Sequence, residues 1–388
     1  MRSESKSGLD TSVFMDVIEN GDAMARTKLA TQLAALMSAE ETSKADCSQV
    51  VPVVLKLSVD PIKEVRRALA NGLIGHSNLN ADILFSVIAD DDDVALPFLA
   101  ATPALNHWHM LAVLRVGDVP RQQTVVLRSD LSPESLAYAV KSAPLNVCLR
   151  LFENRALHFD DKVYHTLYAR FGQAPEMTEL LLGRPNLPLD IRILQAKRAS
   201  NRMQQLMAER GWMADNDATE LVADAEETAI LRILVEASNE ELARAIPFLV
   251  SKKMLTPSMI LRSAAIGEMK VVQWSLAHLS GVGLARAHEL MFGCGLMGLK
   301  SLHSKSGLPQ SCYGLLMAAC DVMKDAKEEG LLLDPESFGR RLIEALMTRY
   351  ENMQSTERSK NLEFIGRFAE DRVRKIAKRL RADMVRAA

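Results

Sequence analysis

The segment 60–73 constrains the fold of this chain more than any other. It opens with an Asp-Pro pair, which suits the first turn of a helix because the missing N–H of proline costs nothing there. Apolar side chains then recur four residues apart at Val65, Leu69 and Leu73, so they lie on one face of a helix. The segment therefore predicts a short amphipathic helix that is capped by Asp60.

The same pattern recurs in the next stretch, where the apolar segments 84–89 and 94–100 flank the acidic turn 90–93. Val65 and Val94 occupy equivalent places, separated by about the length of two short helices and their turns. Aromatic residues make up only 5% of the chain, and no long stretch alternates apolar and polar residues as a half-buried strand would. We therefore expect an all-α protein, an α-solenoid of helical hairpins followed by a C-terminal helical bundle.

Turn signals and composition divide the chain into four predicted parts. Residues 1–10 are polar and are expected to form a flexible tail. A repeat domain covers 11–183 and ends where two prolines and a glycine occur within 183–188. Further helical repeats occupy 184–302. The last part, 303–388, is predicted to be helical and to end in a basic amphipathic helix.

Two further helix starts are marked by aspartates. Asp22 follows a glycine and precedes an amphipathic segment, and Asp334 precedes a proline. Both residues are predicted N-caps, because a carboxylate accepts hydrogen bonds from the free N–H groups of the first turn.

Charge, hydropathy and cysteine usage narrow the classes of function. The net charge is −2, so the surface as a whole does not attract polyanions. No run of about 18 apolar residues occurs, so no membrane span is expected. The polar residues 1–10 are not followed by the apolar core of a signal peptide. The five cysteines are scattered and odd in number, which favours free thiols in a reducing cytoplasm.

Several short motifs resemble catalytic or ligand-binding sites but lack the residues that such sites need. Residues 293–298 spell G-x-G-x-x-G, but a helical pattern precedes them, so close helix packing or a helix break is favoured over a dinucleotide site. His107 and His109 stand two apart, which separates them around a helix, and no further ligand follows at zinc spacing. The acidic turn 90–93 lacks the closing glutamate of a calcium loop. We predict no cofactor, no metal and no enzymatic activity.

The C-terminal segment 367–388 is strongly basic. Its basic residues outnumber its acidic residues by five, and its apolar residues recur every three or four positions. The apolar face suits docking on the bundle or pairing with a second copy, and the basic face suits an acidic protein, nucleic acid or anionic lipid. The predicted partner-binding residues are Arg66 and Arg67 in the helix 60–73, and Arg372, Lys375, Lys378, Arg379 and Arg381 in this segment.

Four stretches and one turn, which together span most of the chain, carry a family resemblance. They are the repeat helix with Val65 and Arg66, then 89–99, 151–156 and 341–350, with the turn 307–309. They resemble a family of uncharacterised helical proteins that is widespread in alphaproteobacteria and has HEAT-like N-terminal repeats. The resemblance implies HEAT-type hairpins, in which an arginine such as Arg66 ties neighbouring repeats through an acidic cap. It implies a bacterial setting and no catalytic residues.

These observations favour a non-enzymatic scaffold or adaptor that holds a protein partner on its helical-repeat surface. The alternative is a nucleic-acid-binding protein that uses basic helix surfaces, with an affinity that falls steeply with salt. An enzyme whose site is assembled from distant residues ranks third, because no acid, base and nucleophile set is evident. A cytoplasmic location is expected, and self-association through the C-terminal helix is a further hypothesis.

Overall fold

The computed structural model describes residues 11–38, 44–212, 215–331 and 334–348, together with residues 359, 362 and 363. Every regular element within these residues is a helix, which confirms the all-α prediction. The chain divides into two compact units, Met1–Leu187 and Pro188–Ala388. The predicted flexible tail, residues 1–10, and the basic segment 367–388 lie outside the described residues.

The described part of the first unit consists of helices, which pack in consecutive pairs from α1 to α10. They are α1 (Thr11–Asn20), α2 (Ala23–Ser38), α3 (Lys44–Ser58), α4 (Lys63–Leu73), α5 (Ala81–Ile88), α6 (Asp92–Ala101), α7 (His107–Val116), α8 (Val119–Val126), α9 (Pro133–Ser142), α10 (Leu145–Glu153), α11 (Asp161–Phe171) and α12 (Pro175–Leu182). The second helices pack on one another in order, from α2 through α4, α6, α8 and α10 to α12. The first helices do so from α1 to α5 and from α7 to α11.

The predicted apolar face of α4 is buried. Val65, Leu69 and Leu73 are each 0% exposed, and burial of such a side chain stabilises the fold by about 1.5–3 kcal/mol. Gly72 permits the close approach of α2, because a Cβ atom at this position would lie 2.5 Å from Cβ of Ala34.

The start of α4 corrects the prediction for Asp60. The N-cap position belongs to Ile62, and no side chain caps the helix there. The Oδ1 atom of Asp60 instead accepts a hydrogen bond from the Ile62 N–H at 2.8 Å. Its Oδ2 atom lies 3.4 Å from the guanidinium of Arg26 on α2. The carboxylate is therefore used to close a turn and to hold a neighbouring helix, which local sequence does not reveal.

The other two predicted caps are confirmed. Asp22 Oδ1 accepts a hydrogen bond from the N–H of Ala25 at 2.8 Å, and Asp334 Oδ1 accepts one from the N–H of Ser337 at 3.0 Å. The hydrogen bond from the Ser337 N–H holds the pKa of Asp334 below its usual value, as expected for a carboxylate at a helix N-terminus.

A repeated contact links α8, α10 and α12 each to the second helix before it. A residue just after α8, α10 and α12 donates hydrogen bonds to carbonyl oxygens at the end of the preceding second helix, and we call this set the C-cap ladder. Arg128 donates to the carbonyls of Leu99, Ala100 and Thr102, Asn154 to those of Val126 and Arg128, and Arg184 to those of Phe152 and Asn154.

The C-cap ladder satisfies carbonyl groups that have no partner within their own helices. A guanidinium placed there also meets the negative end of the helix dipole. Arg184 lies in addition over the rings of Phe152 and Phe159, at 5.4 and 5.0 Å from their centroids. Two ends of first helices are capped in a similar way: Arg121 donates to the carbonyls of Ile88 and Asp90, and Arg170 to those of Val140 and Ala143.

The second unit has longer helices and two cores. Its described elements are α13 (Leu189–Arg210), α14 (Asp215–Glu236), α15 (Asn239–Ser251), α16 (Pro257–Ala265), α17 (Met269–Ser280), α18 (Leu284–His288), a π-helical turn (Glu289–Gly293), α19 (Gly295–Ser306), a 3-10 turn (Gln310–Cys312), α20 (Tyr313–Glu328) and α21 (Pro335–Thr348). One core joins α13 to α17, and the other joins α16 to α21 and includes Leu362. Residue 303, where the fourth part was predicted to begin, lies within α19.

A buried ionic network joins α14 to α16. The side chain of Arg262 is 4% exposed and lies 2.5 Å from Asp224 Oδ1 and 3.0 Å from Glu227 Oε2. Thr256 donates its hydroxyl to Glu227 Oε1 at 2.5 Å. Because removal of one partner leaves a buried charge uncompensated, such a network ties the two helices to a single arrangement.

Replacement of Arg128 by methionine should lower the free energy of unfolding of the first unit by about 2–3 kcal/mol. The methionine keeps an unbranched apolar chain but leaves three carbonyls at the end of α6 without their donor. Urea unfolding monitored by circular dichroism measures the change.

Arg150→Met is the matched control. Its side chain is 51% exposed and pairs with Glu153 within the same helix, so the expected change stays within about 0.5 kcal/mol. Equal effects of the two substitutions would contradict a stabilising role for the C-cap ladder.

The pairing of Asp130 with Arg128 should make stability depend on pH. The Arg128 hydrogen bond holds the pKa of Asp130 below its ordinary value of 3.8. Because the folded pKa lies below the unfolded one, the contribution is present above the unfolded pKa and is lost as pH falls through the folded pKa. The difference in unfolding free energy between the wild type and Asp130→Asn should therefore shrink between about pH 6 and about pH 3. A difference that stayed constant over this range would show that ionisation of Asp130 does not contribute.

Candidate protein-binding surface

Aromatic and imidazole side chains that are exposed or half-buried cross three consecutive first helices of the first unit. We call them the aromatic surface, which consists of Phe85 on α5, His107, Trp108, His109, Arg115 and Val116 on α7, and Tyr138 on α9. The rings of Phe85 and His109 meet edge to face with centroids 5.5 Å apart. The Arg115 guanidinium lies 5.5 Å from the centroid of the Tyr138 ring. These two contacts connect α7 to the helix on either side.

The first turn of α7 holds the His109 ring in place. Asn106 Oδ1 accepts a hydrogen bond from the His109 N–H at 3.0 Å, and His109 Nδ1 accepts one from the Asn106 N–H at 3.4 Å. This reciprocal capping arrangement satisfies two free donors of the helix start. It also requires Nδ1 to be unprotonated, so the ring that supports Phe85 is fixed by the backbone.

Trp108 is far more exposed than the other large apolar ring of this surface, Phe85. The exposed fractions of the two residues are 66% and 38%, and the indole N–H of Trp108 forms no hydrogen bond to another described residue. Its ring centroid lies 4.7 Å from that of His107. Tryptophan combines a large apolar face with one hydrogen-bond donor, and tryptophan and arginine dominate the energetics of protein interfaces. The exposed indole and the exposed Arg115 are thus suited to bind a partner.

The exposed residues of α7 are separate from the residues that hold this helix in the fold. The buried face of α7 consists of Met110, Val113 and Leu114. Trp108 and Arg115 stand seven residues apart, which places them on one side of the helix. Trp108 and Arg115 therefore do not belong to the buried face of α7.

Arg66, a predicted partner-binding residue, contacts the acidic turn 90–93. Its Nε donates to Asp90 at 2.8 Å, a second nitrogen donates to Asp91 at 3.1 Å, and a third donates to the carbonyl of Asp60 at 2.8 Å. The Arg66 side chain is only 16% exposed. It ties α4 to the next hairpin through an acidic turn, as the family resemblance implies.

Three more cations surround the same turn. Lys63 lies 2.8 Å from Asp93, Arg67 lies 3.6 Å from Asp93, and Arg121 lies 3.0 Å from Asp92. The hydrogen bond from Lys63 holds the pKa of Asp93 below its usual value. Arg67 is the more open of the two predicted arginines, at 45% exposure. Cations of this chain thus occupy the acidic turn, and no group of three metal-ligating residues was found among the described residues.

The five remaining predicted partner-binding residues lie outside the described part of the chain. They are Arg372, Lys375, Lys378, Arg379 and Arg381. Their proposed role in binding a partner stays a prediction from the sequence.

The glycine motif 293–298 spans the junction of two helical elements: Gly293 ends the π-helical turn, and Gly295 begins α19. The chain enters it from α18 and this turn, so no strand precedes it as a dinucleotide site requires. Gly295 has a φ of +60°, which breaks the helical path at the first residue of α19. A Cβ atom on Gly298 would come 2.6 Å from the carbonyl oxygen of Leu290. Both the helix break and the close packing predicted for this motif are confirmed.

The described cysteine side chains are free thiols, and most of them are buried. Cys148, Cys312 and Cys320 are buried, and Cys294 is exposed. Burial raises the pKa of Cys148 to about 11 and that of Cys320 to about 12. Because the thiolate is the reactive form, these two buried thiols are poor nucleophiles.

Within the described residues, no helix is both long enough and apolar enough to span a membrane. The charged residues spread along α13 and α14, the longest of the described helices, illustrate why.

Sequence reasoning found part of the aromatic surface and missed the rest. The sequence favours ordinary surface or half-buried histidines over metal ligands for His107 and His109, and the structure has His107 exposed and His109 half-buried. Phe85 and Tyr138 carry no signal that singles them out in the sequence, and Arg115 is not among the predicted partner-binding residues. The spacing of Trp108 and Arg115 was an available signal, because residues seven apart share a helix face. Phe85 and Tyr138 lie on other helices, and packing alone brings them beside α7.

The fold and this surface define a class of protein: an all-helical protein that carries an aromatic surface on short helices. The chain belongs to the family described as "Uncharacterised protein conserved in bacteria (DUF2336)", which it matches over residues 94–355. This match confirms the resemblance inferred from the packing motifs. No curated protein and no solved structure matches the chain.

Removal of the Trp108 side chain should leave the fold intact. Trp108→Ala is expected to change the free energy of unfolding by no more than about 0.5 kcal/mol, because the ring is mostly exposed. Phe98→Ala, in the core of α6 at 0% exposure, should cost about 3–5 kcal/mol. Urea unfolding of both variants tests this, and a large loss of stability for Trp108→Ala would mean that the ring serves the core.

Proposed function

We propose that this protein is a non-enzymatic scaffold or adaptor that binds a protein partner on the aromatic surface. The exposed Trp108 is the observation that carries the proposal. Burial of such a ring against a partner removes a large apolar area from water and gives the free indole N–H an acceptor. Arg115, already held over Tyr138, loses less side-chain freedom on binding than an unsupported arginine.

The architecture that we propose for the first unit is an α-solenoid of HEAT-like hairpins. Two observations support it: helices two positions apart in sequence pack on each other, and the C-cap ladder repeats from hairpin to hairpin. Stacked repeats present extended surfaces of successive helices, which are typically used for binding proteins. The aromatic surface lies on three such successive helices.

The composition of the aromatic surface favours a protein partner over a nucleic acid. Arg115 is the only lysine or arginine among its residues, whereas phosphate binding draws on many cations and weakens steeply with salt. The cations Lys63, Arg66, Arg67 and Arg121 are engaged by the acidic turn 90–93. We further place the protein in the cytoplasm of a bacterium, a location supported by its free thiols and its family.

Photo-cross-linking followed by titration tests the proposal. A photoreactive amino acid in place of the exposed Val116 captures the partner in the native bacterium, and the purified partner is then titrated with the full chain. Trp108→Ala should weaken the affinity at least about 30-fold, which corresponds to about 2 kcal/mol. The affinity of the wild type should change little between low and moderate salt.

Trp212→Ala provides a matched control in the second unit. Trp212 is 65% exposed, nearly the same as Trp108, so its replacement removes an equally open ring from another place. The affinity of this variant should stay within about twofold of the wild type. Equal affinities of the wild type and Trp108→Ala would overturn the proposal. Capture of nucleic acid with a steep salt dependence would favour the alternative function.

A further inference from the structure

We propose that the second unit carries a separate binding cleft for an acidic segment of a partner protein, which inserts a bulky apolar side chain. The cleft has a volume of about 420 Å³ and lies between the π-helical turn and α20. Its lining residues are His288, Phe292, Met323, Lys324, Lys327 and Glu328. None of them belongs to the aromatic surface, so this site stands independently of the function proposed above.

Phe292 and Met323 form the apolar part of the cleft. Both side chains are half-buried, so each offers apolar surface to an incoming group. The rings of Phe292 and His288 lie with centroids 4.9 Å apart, and Gln273 Oε1 lies 3.3 Å from His288 Nδ1. These contacts fix one wall of the cleft. The flexible, polarisable thioether of methionine on the other wall adapts to side chains of different shapes.

The lining of the cleft carries an excess of positive charge. The lining contains two cations, Lys324 and Lys327, and one carboxylate, Glu328, which lies 4.0 Å from Lys324. Lys327 forms no ion pair with any other residue in the described ranges. Its ammonium group is therefore available to an acidic partner, and complementary charge both steers association and rejects basic segments.

The π-helical turn is a second, independent sign that this place serves binding. The Cys294 N–H donates to the Glu289 carbonyl at 2.9 Å, five residues back, which widens the helix by one residue. Such turns are rare and are found frequently at functional sites. The turn contains Phe292 and is followed by Leu296 and Met297, which are 59% and 76% exposed.

The openness of the cleft indicates what kind of ligand it accepts. His288, Lys324, Lys327 and Glu328 are all exposed, so solvent reaches most of the rim. A small molecule usually has most of its surface enclosed in its pocket, which this cleft does not provide. A side chain that projects from a partner protein needs only a partial enclosure, because the surrounding protein surfaces cover the rest. With the aromatic surface on the first unit, this cleft would let one chain bind two partners.

Selection from two peptide pools tests the cleft. Every peptide has one fixed leucine or phenylalanine with random residues on both sides. In the acidic pool the random residues are Asp, Glu, Ala and Ser, and in the basic pool they are Lys, Arg, Ala and Ser. The full-length chain should enrich peptides from the acidic pool only. Lys327→Glu should weaken the affinity for the selected acidic peptide at least about tenfold, because a negative charge then repels the acidic peptide. Phe292→Ala should weaken the affinity by a similar factor.

Two control variants separate this site from its surroundings and from the first unit. Lys305→Glu makes the same charge change at an exposed position of α19 outside the cleft, and Trp108→Ala alters only the aromatic surface. Both should keep the affinity within about twofold. Lys327 is exposed, so its variant is expected to fold, and circular dichroism verifies this. The inference would be overturned if the basic pool were enriched, if neither pool were enriched, or if Lys327→Glu kept the affinity of the wild type. None of these outcomes would affect the proposal for Trp108.

Discussion

The first unit depends on how its helix ends are satisfied. From α4 to α12 the helices have only 8 to 11 residues, and each leaves up to four terminal carbonyls without an intrahelical partner. A large share of the backbone carbonyl groups therefore needs hydrogen-bond donors from outside the helix. The C-cap ladder supplies the donors from the next hairpin, so the end of one hairpin is complete only when its neighbour is in place.

This dependence links stability to the binding surface. Because Arg128, Asn154 and Arg184 each reach back to the preceding hairpin, they fix the position of each hairpin relative to the last. Side chains from neighbouring hairpins then meet. The contacts of Phe85 with His109 and of Arg115 with Tyr138 are of this kind. The aromatic surface is thus a product of the same stacking that completes the helix ends.

The second unit is organised by other means. A buried Arg262 with two carboxylates joins α14 to α16, and a larger apolar core holds α16 to α21. The longer helices α13 and α14 leave fewer free ends per residue, so carbonyl capping matters less there. Its distinctive feature is the π-helical turn, where the helix departs from regular geometry and Phe292 lines a basic cleft. Each unit therefore presents its own candidate binding site on its own framework.

The sequence by itself determined the all-α class, the buried face of α4, the caps at Asp22 and Asp334, the tie made by Arg66 and the family. These features depend on residues close together in the chain, or on a local pattern that repeats. Tertiary structure alone decided that Asp60 pairs with Arg26 and does not cap α4. It likewise determined that Arg128 and Arg184 donate hydrogen bonds to carbonyls of an earlier hairpin. It also decided that Phe85 and Tyr138 flank α7. The physical reason is that periodicity specifies which face of a helix is buried, whereas the partner of a polar or exposed side chain depends on how distant helices pack.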